Sequence, residues 1–257
     1  MMNTKRCDVK EKKQLPGIGI GIEGAFLLLL FFFSCAALAN MSVYPMELNV
    51  DTSGVAVIKV ASKSDDIQFV RVTQKKIINP GTSQEKEVDV PSWEKGGMVV
   101  TPSKFALAAG SMRVVRLVSM TPPEKETTWR IYFEGVKQPS DFLSMKGKDS
   151  SAEAKLGVNI IWGALVHLAP ENPLISLSVN PERGEVINNG TIRIPLKEIG
   201  ICQGTSSCKW VKEDATIYPG MRKTLKSLSF NGGSKYKIRY FNWLSKTSEE
   251  AEPLVAN

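Results

Sequence analysis

Ile67-Gln-Phe-Val-Arg-Val-Thr73 alternates apolar and polar residues, the two-residue period of a strand with one face in a core and the other in water. Upstream, Val55-Ala-Val-Ile-Lys-Val60 is β-rich, and downstream Asn79-Pro80-Gly81 is a turn signal. Working outward, Met98-Val-Val-Thr101 follows a Gly96-Gly97 loop, and Val114 to Val118, Trp129 to Phe133 and Leu156 to Leu168 read as further strands. Turn signals recur between them at the spacing of a sandwich, and no segment carries a convincing helical period. About seven strands fall in this block, residues 40–170.

Pro170-Glu-Asn-Pro173 reads as a linker, because two prolines discourage either regular structure. Residues 171–257 form a smaller β unit. Its expected strands are Leu174 to Val179, Glu185 to Asn188, Thr191 to Ile194, Lys197 to Ile201, Lys223 to Ser229 and Tyr236 to Trp243. Asn188-Asn189-Gly190 and Asn231-Gly232-Gly233 read as hairpin turns, and the acidic Glu249-Glu250-Ala251-Glu252 tail is expected to fray. The expected fold class is all-β, with two sandwich domains of unequal size.

The first 39 residues carry the pattern of a secretory signal peptide. A basic stretch (Lys5, Arg6, Lys10, Lys12, Lys13) precedes the apolar run Ala25 to Phe33, and Ala37-Leu38-Ala39 supplies a small-residue cleavage site. The run is short for a membrane span, which needs about 20 apolar residues. Cleavage is expected after Ala39, and the long leader with Glu23 before its apolar run points to a start downstream of Met1.

Of 257 residues, 42% are hydrophobic, enough to build a core, so general disorder is excluded. The net charge of +7 falls to +5 on removal of the leader, which holds five basic and three acidic residues. Lys and Arg are scattered among acids, so this excess fits steering toward an acidic partner better than nucleic-acid binding. The single histidine, His167, leaves a Ser-His-Asp triad or a multi-histidine metal site with one donor to draw on. It reads as a packed or edge histidine, and the five tryptophans, Trp93 among them, as core or edge aromatics. No nucleotide fingerprint or metal-ligand cluster is present in the sequence, so no cofactor, no metal and no ATP are expected. Cys202 and Cys208 remain in the mature chain, an even number in an oxidising compartment, and are expected to form one disulfide closing a short loop.

Val100-Thr-Pro-Ser-Lys-Phe-Ala-Leu-Ala-Ala-Gly110, continuing to Val115-Arg116-Leu117, resembles the characteristic segment of periplasmic pilus chaperones. Ser62-Lys-Ser-Asp-Asp-Ile-Gln68, Lys75-Lys-Ile-Ile-Asn-Pro-Gly81, Tyr132-Phe133-Glu134 and Val158-Asn-Ile-Ile161 are similar to the chaperones of CFA/I-type (class 5) fimbriae. The resemblance covers nearly all of the first block and thins out in the second. It implies two immunoglobulin-like domains arranged as a boomerang, and a non-enzymatic protein of the chaperone-usher pathway. Such chaperones capture a fimbrial subunit that lacks its last strand, lend that strand from their own hairpin, and deliver the subunit to an outer-membrane usher. A subunit with an open groove exposes apolar surface and unpaired backbone, and a lent strand covers both.

The lent strand is expected in the long connection after Phe133, with Phe142, Leu143 and Met145, then Leu156 and Val158, as its apolar residues. A chaperone with such a strand can also cap itself by dimerising. The resemblance implies a basic pair holding the subunit's terminal carboxylate, a charge-assisted contact that gains strength away from water. Lys59 in its apolar strand is the first candidate, with Lys155 and Arg130 beside it; the family's arginine early in the first strand has no match at Tyr44-Pro45-Met46-Glu47. Arg116 is read as structural, with Glu134 as a partner. The competing expectation is an exported fimbrial subunit or adhesin, which would share the leader, the β content and the disulfide. Asn40 to Asn49 offers only a short N-terminal extension for that role.

Overall fold

The structure, a computed structural model, describes residues 40–91, 93–94, 96–136, 160–203, 207–225 and 235–255. Among these residues it contains eighteen β-strands and no helix. The leader, with its cleavage site, lies outside the described residues.

Ten strands come from residues 41–168: β1 (Met41–Tyr44), β2 (Glu47–Val50), β3 (Val55–Ser62), β4 (Gln68–Ile78), β5 (Lys86–Val88), β6 (Met98–Thr101), β7 (Lys104–Leu107), β8 (Met112–Ser119), β9 (Thr127–Val136) and β10 (Ile161–Leu168). One sheet has the order β1-β3-β8-β6, and the other β2-β10-β9-β4-β5 with β7 also on β4. Inward residues of both sheets meet in one core, with Ile58, Val60, Val115 and Leu117 from the first and Val70, Trp129, Ile131, Phe133 and Val166 from the second. The count exceeds the expected seven because two strands break at prolines and change sheets, and because β5 adds a short edge strand on β4. The cis Tyr44–Pro45 bond separates β1, paired to β3, from β2, paired to β10; the cis Thr101–Pro102 bond separates β6, on β8, from β7, on β4. Proline has no N–H to continue a ladder, so it suits such a crossing point.

The remaining strands are β11 (Leu177–Asn180), β12 (Glu185–Asn188), β13 (Ile194–Gln203), β14 (Ser207–Ile217), β15 (Arg222–Thr224), β16 (Lys235–Asn242), β17 (Thr247–Ala251) and β18 (Leu254–Val255). Their sheets run β15-β12-β11-β18 and β14-β13-β16-β17 around a second core that includes Val179, Val186, Leu196, Ile199, Ile217, Ile238 and Tyr240. Among the described residues, no strand of 41–168 pairs with one of 177–255. The fold class is therefore as expected, all-β with immunoglobulin-like sandwiches.

Four local readings need correction. Asn188-Asn189-Gly190 is a crossing between sheets and not a hairpin turn, since β12 pairs with β11 and β15 while the chain continues into β13 of the other sheet. The fully buried Asn188 side chain holds the crossing: its Nδ2 donates to Ile192 O and Ile217 O, at 2.8 and 2.9 Å, and its Oδ1 accepts from Gly190 N. The 191–193 stretch, expected as strand, forms this crossing. The acidic tail is not frayed: β17 is an edge strand on β16, and Glu250 meets Lys237 and Arg239 across it. Trp93 is neither core nor edge, being 84% exposed in a turn.

Candidate functional site

β10 pairs with β9 along its whole length, but its other edge is covered only from Leu165 to Leu168, by β2. Among the described residues, Ile161 to Ala164 have no strand on that side. The Leu165 N–H points to that edge, since it donates to Met46 O at 2.7 Å. The N–H and C=O groups of Gly163 and Ile161, two and four residues back in the same strand, therefore point the same way. An unpaired edge beside exposed Ile160 and Ile161 is a template for an added strand.

Side chains that face outward from this sheet line the approach to the edge. Gly163 lies beside Arg130 and Tyr132 of β9, and a Cβ there would come within 3.2 Å of the Tyr132 ring and 3.3 Å of Arg130 Cδ. The missing side chain lets the Arg130 stem lie against β10. The Arg130 Nε is 3.2 Å from Glu87 Oε1, outside hydrogen-bond geometry, and makes no hydrogen bond of its own. Glu87 is instead the acceptor for the Tyr132 hydroxyl, at 2.7 Å. Burial, and then that bond, push the Tyr132 phenol up. Lys75, opposite Arg130 on β4, lies 3.6 Å from Asp89. With its side chain 35% exposed, Arg130 is a partly desolvated guanidinium with donor capacity to spare, suited to a carboxylate.

At the other end of the same face sits a buried ionic hub. Glu126, just before β9, is fully buried and holds Arg193 from the second β block. The Arg193 Nη1 donates to Glu126 Oε1 at 2.6 Å, and the Arg193 backbone N donates to Oε2 at 2.9 Å. Arg193 Nη2 donates to Asn49 Oδ1 of β2 at 2.6 Å, and Trp243 Nε1 donates to Glu126 Oε2 at 3.2 Å. His167 joins from β10, its Nδ1 3.5 Å from Glu126 and its Nε2 3.4 Å from Glu47. Burial pushes the Glu126 carboxyl up, but the His167 contact and the Arg193 charge outweigh it and hold it below its ordinary value. The Glu126 N–H also donates to Thr191 O across the two blocks, and the described residues of both blocks fall in one compact unit.

Of the residues singled out from the sequence, Arg130 lies beside the open edge. Lys59 does not: it is exposed on the outer face of the four-stranded sheet, opposite Tyr44 and Val114, where alternation turns Ile58 and Val60 into the core instead. Arg116 and Glu134 do not pair, since they point outward from different sheets of one sandwich, Arg116 opposite Val57 and Glu134 opposite Arg71. Lys155, Phe142, Leu143, Met145, Leu156 and Val158 lie outside the described residues. Cys202 and Cys208 form a disulfide, facing each other across the β13–β14 pair. His167 is packed, as read. The sequence reading missed the partnership of Glu126, Arg193 and Asn49, whose members are 67 and 144 residues apart, beyond the reach of any local pattern.

No family model matches the chain. It is similar to two Escherichia coli proteins, both named as fimbrial subunits. One is of CFA/I fimbriae (38% identical over 200 residues, 76% of this chain and 83% of that protein), the other of CS1 fimbriae (36% over 201 residues, 75% and 83%). Among solved structures it is similar to the class 5 fimbriae chaperone CfaA, at 33% identity and a TM-score of 0.67, covering 84% of this chain and 99% of that one. A chain from a chaperone–tip adhesin complex of CFA/I fimbriae biogenesis matches at 32% identity and the same TM-score, over 85% of this chain and all of that one.

Proposed function

The chain belongs to the class 5 fimbrial chaperones, a non-enzymatic family, and from that premise we propose that it is a periplasmic chaperone acting by strand donation. In this reading it is exported by the leader, cleaved after Ala39, and binds fimbrial subunits until an outer-membrane usher takes them. The observation that carries the reading is the β10 edge, which offers the unpaired Ile161 and Gly163 backbone to an incoming strand. Residues 137–159 join β9 to that strand in the sequence, and in this reading Phe142, Leu143, Met145, Leu156 and Val158 would fill the subunit's groove. Arg130, with its unsatisfied Nε and the room left by Gly163, would hold the subunit's terminal carboxylate, with Lys155 as the second cation. Release then needs no nucleotide, only exchange for a better-fitting strand.

The second reading, a structural subunit, is favoured by the names of the two Escherichia coli relatives. Against it, the core of the first sandwich is closed by its own strands, with Ile58, Leu117, Trp129 and Phe133 fully buried. A pilin awaiting a strand would leave such residues open to water.

Co-expression in the periplasm with the pilin encoded alongside separates the two. A one-to-one complex with the wild-type chain, weakened by Arg130→Ala, is the expected result. Polymerisation of the purified chain with no pilin complex would replace the chaperone reading with the structural one.

A further inference from the structure

Arg130 has a neighbour that strand donation leaves without a role. Each outward cation of β4 and β9 is matched by an acid: Arg71 is opposite Glu134, Lys75 lies 3.6 Å from Asp89, and the Arg130 Nε is 3.2 Å from Glu87 Oε1. A carboxylate that served to satisfy Arg130 would take two parallel N–H bonds from the guanidinium fork. Glu87 does not. Both its oxygens are turned to a different donor, the Tyr132 hydroxyl, at 2.7 and 2.8 Å. Its charge therefore bears on Arg130 while the Nε hydrogen stays unbonded. The arrangement is held from both sides. Gly163 leaves room for the Tyr132 ring and the Arg130 stem to lie together, and β5 fixes Glu87 by pairing it opposite Ile77. With 29% of the Glu87 side chain and 35% of Arg130 exposed, water screens the pair only in part.

Resting on the Arg130 anchor of the preceding section, we propose that Glu87 is an attenuator of that anchor: it weakens the hold on the pilin's terminal carboxylate and so sets how long the complex lives. An incoming carboxylate that takes the free Arg130 donors comes to share one guanidinium with Glu87, and two like charges that close repel. The pilin is thereby held by an attraction already partly neutralised. Tyr132 has the positioning role. Its hydroxyl draws the Glu87 oxygens away from the guanidinium fork, so Arg130 is damped and not blocked. A chaperone that gives up its cargo without a nucleotide needs such a restraint, because every contact to the pilin has to break before the pilin can leave. A Glu87 that merely oriented Arg130 would act with the opposite sign, since its loss would then weaken pilin binding.

The test compares wild type with Glu87→Gln, which keeps an acceptor for Tyr132, with Arg130→Ala, and with the two changes together. Each full chain is co-expressed in the periplasm with the pilin, and the complex is purified. An excess of tagged wild-type chaperone is then added, and the half-life of the pilin on its original chaperone is read at low salt and at about 0.5 M salt. Glu87→Gln is expected to lengthen the half-life about threefold to fivefold at low salt. The gain should shrink at high salt, where the charges are screened, and vanish where Arg130 is already replaced. An unchanged or shorter half-life in Glu87→Gln, with Arg130→Ala shortening it as the anchor requires, overturns the proposal. So does a gain that persists without Arg130, which would place the effect of Glu87 elsewhere. If Arg130→Ala releases pilin no faster than wild type, the anchor itself is wrong and this inference falls with it. If the wild-type chain retains no pilin, the chaperone reading fails first.

Discussion

Glu126→Gln removes one charge from the hub between the two β blocks and leaves its shape nearly unchanged. Arg193 would then be a buried guanidinium facing a neutral amide, with Asn49 as its remaining side-chain acceptor. Leaving one member of a buried ion pair uncompensated costs about 3–5 kcal/mol. For a chain of this size that is a fall in Tm of roughly 10 °C, at about 2–4 °C per kcal/mol. Arg193→Met strands Glu126 in the same way, whereas Glu126→Gln with Arg193→Met removes both charges and should cost much less than the two singles together. The pH dependence follows from the depressed Glu126 carboxyl. A carboxyl bound more loosely by its proton when folded stabilises the fold above its unfolded value of about 4.3 and loses that contribution as pH falls through the lower folded value. The gap between wild type and Glu126→Gln should therefore close as pH falls below about 4. Urea unfolding of the mature chain reads both effects. A loss under about 1 kcal/mol, or additive singles, would refute the account of the hub.

Asn188→Ala should cost about 2–4 kcal/mol in the same assay, because it strips three hydrogen bonds from a buried crossing. Gly190→Ala should cost about 3 kcal/mol or more and lower the yield of folded protein, since its Cβ would overlap the Leu174 carbonyl and come within 2.9 Å of Ser176 N. Glu249, bonded first by Tyr240 and then by Ser245 and Asn242, is held down to about 2. Its carboxyl resonance should titrate near there, with stability from these bonds present above the ordinary carboxylate range and lost as pH falls toward 2; Tyr240→Phe should move the midpoint upward, and an unchanged midpoint would deny the bond its role. Gly163→Val should weaken pilin retention with little effect on stability, because it crowds the Arg130 stem at a half-exposed position.

The first sandwich was legible because its strands alternate cleanly: all of 67–73 but Ile67 falls within β4, and 114–118 falls within β8. β14 was missed for a physical reason. As an edge strand it carries Lys209, Lys212, Glu213 and Asp214, and so many charges hide the two-residue period. The 249–252 run was misread likewise: its acids are held by Tyr240, Lys237 and Arg239, partners that the sequence places on another strand. Asn188-Asn189-Gly190 has the composition of a hairpin turn, but its role is fixed by which sheet the next strand joins. At the candidate site, the strand at 161–168 could be read directly, whereas the Lys59 orientation could not. Lys59 is one residue from either buried neighbour, and strand register alone decides which face it takes. The hub was invisible for want of any short-range signal.

In the proposed mode of binding, an incoming strand pairs with the open edge of β10. Amide hydrogen exchange at Ile161 and Gly163, in the chaperone alone and in its pilin complex, tests it most directly. Rapid exchange is expected at both amides in the uncomplexed protein and strong slowing in the complex, with Leu165, already bonded to Met46, little changed. Equal exchange at Ile161 and Gly163 in the two states, with the complex intact, would place the pilin elsewhere and contradict the account.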